Sequence, residues 1–183
     1  MVGKCVGSIA AATAIGLLSL AGAGLAKAQH AHGAHVHGEA QAAIVVEGQS
    51  VSISLNSAMY NITGFERAPQ NSAEEAALAD AIAVLSAGEN IFVMDTAADC
   101  TFDSVVHSLP VGLPASEKDD RLYRDLEASY EFTCSAPDEL SAMVIGLFEP
   151  FGNLEKIDTV VLNGNSQIAI SLSPDQNRIE LTE

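Results

Sequence analysis

Residues 126–134 read LEASYEFTC, and their alternation decides the fold class. Leu126, Ala128, Tyr130, Phe132 and Cys134 share one side of an extended chain, and Glu127, Ser129, Glu131 and Thr133 share the other. Successive side chains of a strand point to opposite faces. A period of two therefore predicts a strand with one face in a core and one in water. The same pattern recurs at 50–55, where Val51, Ile53 and Leu55 alternate with Ser50, Ser52 and Ser54. Ala42–Glu47 precedes that run across Glu47-Gly48-Gln49, which predicts a joined strand pair.

Further strands are expected at Ile91–Met94, Ile157–Leu162, Gln167–Leu172 and Arg178–Leu181. Another begins at Cys100, with Cys100, Phe102, Ser104 and Val106 expected on one side. Asn163-Gly164-Asn165 predicts a hairpin, because Asn and Gly tolerate the positive φ angles of a tight turn. Leu140–Phe148 is apolar and reads as a buried strand, with a short helix as the alternative. One helix is expected over 73–87. Ser72 and Glu75 form a capping box, Leu78, Ile82 and Leu85 recur at helical spacing, and Gly88 ends the pattern. Residues 56–71 read as a mixed connection, Pro150 to Leu154 as a turn, and Leu109–Arg124 as an exposed loop with two prolines and the charge run 117–121. No internal repeat is found. The expected class is α+β, a single mostly antiparallel β domain with at least one amphipathic helix.

The front of the chain reads differently. Lys4 precedes an apolar run from Val6 to Leu25, which closes in Ala26-Lys27-Ala28. That is the pattern of a cleaved secretory signal over 1–28, with a retained membrane anchor as the alternative. Cleavage after Ala28 predicts a tail at 29–40 and a globular domain at 41–183. Residues 29–183 keep six of the Lys and Arg against all 24 Asp and Glu, for a net charge of −18. Such a surface repels nucleic acid and anionic lipid and attracts cations weakly. Two cysteines remain, Cys100 and Cys134. In an exported chain an even pair predicts a disulfide, and a two-cysteine metal site is the alternative.

The tail carries the chemistry. Four of the five histidines, His30, His32, His35 and His37, fall within QHAHGAHVHGEA at 29–40. Neutral imidazole binds zinc, copper and nickel. In an extended chain His30 and His32 point one way together, as do His35 and His37, and a bend at Gly33-Ala34 folds one pair over the other. Four nitrogens at about 2.0–2.1 Å satisfy a tetrahedral zinc ion. Zn2+ is thus the expected ligand, with Cu2+ or Ni2+ as alternatives. A solvated tail with incidental affinity is the bland reading. Ordering a tail costs roughly 1–2 kcal/mol per residue, so exchangeable binding suited to hand-over is expected. His107 stands alone before Ser108-Leu109-Pro110. It reads as a surface residue, or as an auxiliary ligand with Asp119 or Asp120. No catalytic or cofactor-binding residue is assigned. The chain holds no G-x-S-x-G, HExxH, P-loop or GxGxxG after a strand, and only His107 lies in the expected folded part. Asn61-Ile62-Thr63 matches a glycosylation sequon, a pattern that arises often by chance.

The order of several stretches carries a resemblance. These are A-H-V-H-G at 34–38, the strand pair, G-F-E-R-A-P at 64–69, S-A-E-E at 72–75, Asp99-Cys100-Thr101, E-A-S-Y-E-F-T-C at 127–134 and G-L-F-E at 146–149. Together they resemble the zinc-regulated periplasmic zinc-uptake (ZrgA-like) proteins of Gram-negative bacteria, over essentially all of the chain after residue 28. The resemblance implies zinc binding in the periplasm in aid of import, with ligand roles for His35 and His37 and with His30 and His32 adjoining. Such proteins carry a histidine- and acid-rich insertion where this chain has Val111–Arg124, which contains no histidine. The expected partners are a divalent metal ion and a metal transporter or other envelope protein, with no nucleic acid and no membrane span once the signal is removed. A non-catalytic interaction module with incidental tail metal, and a copper-handling protein, are the competing expectations.

Overall fold

A computed structural model describes residues 36–110 and 119–181, together with Gly3. The expected signal segment and His30, His32 and His35 lie outside the described residues, as does most of the loop after Pro110. All described residues except Gly3 belong to one compact unit, His32–Glu183.

The strands follow the alternation closely. β1 (Glu39–Glu47) and β2 (Ser50–Ala58) form an antiparallel pair, with Glu47 opposite Ser50 across Gly48-Gln49. Gly48 has φ 58°, a left-handed value at which a side chain is strained. Two helices follow. α1 (Met59–Thr63) ends at Gly64 with φ 85°, and α2 (Ser72–Ser86) buries Leu78, Ala81 and Leu85. α3 (Gly88–Ile91) leads into the short strand β3 (Phe92–Met94). β4 (Cys100–His107) and β5 (Asp125–Cys134) pair antiparallel. β6 (Ala142–Ile145) makes the middle of the apolar run 140–148 a strand. β7 (Lys156–Asn163) and β8 (Ser166–Leu172) form the Asn-Gly hairpin, and β9 (Arg178–Glu180) closes the described chain.

The strands build a six-stranded sheet in the order β4-β5-β2-β1-β7-β8 and a three-stranded sheet in the order β3-β6-β9. Among the described residues every ladder is antiparallel except β1 with β7, which is parallel. The inward residues Ile44, Ile53, Leu55, Leu126, Tyr130 and Ile157 form one core with Leu85, Phe92, Met143 and Ile145 from the helices and the small sheet. Phe92 meets Tyr130 edge-on with ring centroids 4.8 Å apart. Burial of Tyr130 pushes its phenol well above the ordinary range. Cys100 and Cys134 sit directly opposite each other and are joined as a disulfide.

Four sequence expectations are corrected. First, α2 is capped by Asn71, whose side chain accepts from the Ala73 and Glu74 amides, so Ser72 is already helical. Glu74 rather than Glu75 reaches back, accepting the Gln70 N–H at 2.8 Å. Second, the alternation in β4 breaks at Asp103. Phe102 pairs with Phe132 but Ser104 with Glu131, a bulge that places two residues opposite one. Val105 and His107 therefore continue the inward face, and Val106 is 74% exposed. Third, Leu109 and Tyr123, within the stretch read as an exposed loop, are both buried and pin its ends to the core. Fourth, residues 59–63, within the expected connection, form α1. No helix among the described residues is long and apolar enough to cross a membrane.

Candidate metal site

The histidine-rich segment joins the fold at Val36–Gly38, where the chain turns into β1. The Glu39 amide donates to the Val36 carbonyl at 3.0 Å. Gly38 has φ 86°, so a side chain there would be strained. Its carbonyl accepts from the Glu155 and Lys156 amides at 2.8 and 2.9 Å. Its N–H donates to Asn61 Oδ1 at 2.7 Å. Asn61 Nδ2 in turn donates to the Glu39 carbonyl at 2.8 Å and to Ser57 Oγ at 3.0 Å. Asn61 is 1% exposed, and its amide serves the strand junction rather than a modification. The backbone on the domain side of His37 is thus fixed by β7, α1 and β2 together.

The His37 side chain is held as well. α1 presents Tyr60, and the imidazole stacks on its ring at 4.1 Å with an interplanar angle of 13°. Tyr60 is steadied through its carbonyl, which accepts from the Gly64 amide at 2.9 Å and from Asn153 Nδ2 at 3.1 Å. Glu66, just past α1, brings Oε1 to 3.1 Å from His37 Nε2. The neighbouring cation is directed elsewhere, since Arg67 pairs with both Glu74 oxygens at 2.7 and 2.9 Å. The Arg67 hydrogen bonds, with the Gln70 amide second, hold the Glu74 carboxyl at about 2. Lys156 bridges Asp158 and Glu39 at 3.1 Å each, and these carboxylates raise its pKa, Asp158 foremost.

An imidazole nitrogen and a carboxylate oxygen are both donors that zinc accepts. The pair fits part of a zinc shell, and a four-coordinate ion requires further donors. Among the described residues no group of three or more His, Cys, Asp or Glu side chains comes together to hold an ion. His30, His32 and His35 lie outside the described residues. His107 ends β4 opposite Ala128 on the inward face, and its Nδ1 is buried without a hydrogen-bond partner. Asp119 is paired with Arg121, which holds its carboxyl at about 2. β5 and β2 stand between β4 and β1, so the sheet does not bring His107 to the junction that carries His37.

Tyr60 and Glu66 were not assigned a role from sequence. Glu66 lies within the G-F-E-R-A-P stretch, yet no local spacing relates residue 66 to residue 37. Only the packing of α1 against the start of β1 does so.

The scaffold is β-rich and disulfide-tied, and it holds one histidine beside a carboxylate. The family model for ZrgA family zinc uptake proteins matches residues 34–181, and the chain belongs to that family. The matched span takes in His35, His37, Glu66 and the disulfide. Among curated proteins, none matches the chain at a significant level.

Proposed function

We propose that this chain is an exported, periplasmic, non-catalytic protein that captures zinc through His30, His32, His35 and His37 and assists its uptake. Membership of a zinc-uptake family supports zinc as the cargo. The observation that carries the reading is the docking of His37. The last histidine of the tail is stacked on Tyr60 and lies beside Glu66. A ligand already fixed on the domain loses less conformational freedom when an ion binds, so it offers the histidines before it an anchored start. The domain, cross-linked by its disulfide, presents the tail to a transporter or another envelope protein. The acidic surface raises the local concentration of cations. Capture by a tail that must order itself is exchangeable, which suits hand-over.

Calorimetry of the chain lacking residues 1–28, with zinc at about pH 7.5, tests this. The expected result is saturable uptake that is lost when all four tail histidines are changed to alanine, because removing the ligands costs more than the roughly 10–100-fold typical of a supporting contact alone. Unchanged affinity in that variant overturns the reading.

A further inference from the structure

Glu66 belongs to no strand or helix, and its carboxylate nevertheless meets the docked histidine. A carboxylate only accepts hydrogen bonds. A neutral imidazole beside it must therefore present a protonated nitrogen, and the nitrogen facing Glu66 Oε1 is Nε2. The proton then resides on Nε2, and the lone pair of the ring resides on Nδ1. Tyr60 supplies the second constraint, because a stack at 13° fixes the plane of the ring. For a neutral His37, these two contacts from two sides select one tautomer and one orientation of the ring. Metal-bound histidines generally donate their other ring N–H to such a carboxylate or carbonyl, which orients the ring and raises its basicity.

We infer that Glu66 is a positioning residue for metal capture, which accepts the Nε2–H of His37 and leaves Nδ1 to meet the ion. The inference rests on the zinc-capture reading and adds a specific nitrogen and a residue outside the histidine segment. It also distinguishes two chemistries available to a His–Glu pair. If Nε2 held the metal, the carboxylate would be a ligand itself or would be displaced. With Nδ1 as donor, the contact between His37 and Glu66 is retained when metal binds.

The test uses the chain lacking residues 1–28, labelled with 15N-histidine, at about pH 8, where ordinary imidazole is neutral. Without metal, His37 is expected to show a protonated Nε2 and an unprotonated Nδ1. After addition of cadmium-113 as the probe ion, scalar coupling from cadmium to His37 is expected at Nδ1. A protonated Nδ1 in the metal-free protein, or coupling at Nε2, overturns the inference while leaving zinc capture intact. Absence of any cadmium or zinc uptake removes the capture reading itself, and this inference with it.

Two substitutions give an independent readout. Glu66→Gln keeps a carbonyl that can accept from Nε2–H, so zinc affinity is expected to fall only about fivefold, the difference between a charge-assisted and a neutral hydrogen bond. Glu66→Ala removes the acceptor and is expected to lower affinity 10–100-fold, as loss of a supporting contact does at other metal sites. Equal losses in the two variants would make Glu66 a direct carboxylate ligand, and no loss in either would make it a bystander. Both results overturn the assignment.

Discussion

Glu74 shows how one side chain links the start of α2 to the stretch that carries Glu66. It sits in the first turn of the helix, takes both nitrogens of Arg67, and accepts the Gln70 amide. A folded-state pKa of about 2 against an ordinary 4.5 means that folding favours the ionised form. The sign follows directly. The stabilisation is fully present above 4.5 and is lost as pH falls towards 2. Arg67→Gln is therefore expected to move the Glu74 midpoint, read by carboxyl NMR, back towards 4.5. The variant should also lose less stability than the parent chain over that acid window in urea melts. An unmoved midpoint would show that the guanidinium is not its cause. At this scale the sequence was only partly legible. Ser72, Glu74 and Glu75 announce a helix start, and α2 begins where they indicate. Which residue caps it is decided by Asn71, whose amide oxygen accepts from two backbone N–H groups from just outside the helix. Asn61 is similar. Its sequon was visible, but its role as a buried three-way connector depends on β1 and β2, both of which precede it in the chain.

β4 shows where periodicity misleads. A pattern of period two locates the strand, because Cys100 and Phe102 do face inward. The bulge at Asp103 adds one residue, and everything after it changes phase relative to a straight reading. Asp103 uses its outward position to accept from the Thr133 hydroxyl at 2.7 Å. Uniform alternation makes Val106 the core residue and Val105 the solvent residue, and the structure reverses them. Val105 packs against the core while Val106 is exposed. Val105→Asp is accordingly expected to cost about 1–3 kcal/mol, since a carboxylate enters a partly apolar site without a partner. Val106→Asp should stay within about 0.5 kcal/mol of the parent, as exposed substitutions usually do. Urea midpoints of the two variants decide between them, and the opposite ranking would place the bulge elsewhere. The strands β1, β2, β5, β7 and β8 carry no such interruption. That is why their positions were readable to within a few residues.

Across the whole molecule, the strands were legible and their partners were not. β1 and β7 are parallel neighbours separated by more than a hundred residues, and a parallel pairing leaves no turn signature in either strand. The candidate site follows the same rule. The histidine spacing can be read along one stretch of chain, whereas Tyr60 and Glu66 reach His37 only because α1 folds back over the start of β1. The disulfide lies at the β4 edge of the large sheet, closing β4 onto β5 with its cysteines 34 positions apart in sequence. Closing a loop of that length restricts the unfolded chain and contributes about 3–4 kcal/mol. Replacing both cysteines with alanine is expected to lower stability by that order while leaving zinc affinity within about twofold. Sites that share no partners generally act independently, and β2 lies between the bridged pair β4-β5 and the strand β1 that follows the His37 junction. Chemical denaturation gives the first quantity and calorimetry with zinc the second. A parallel fall in zinc affinity, measured where the variant is still fully folded, would mean that the β4 edge and the start of β1 are coupled and that the bridge helps shape the capture site.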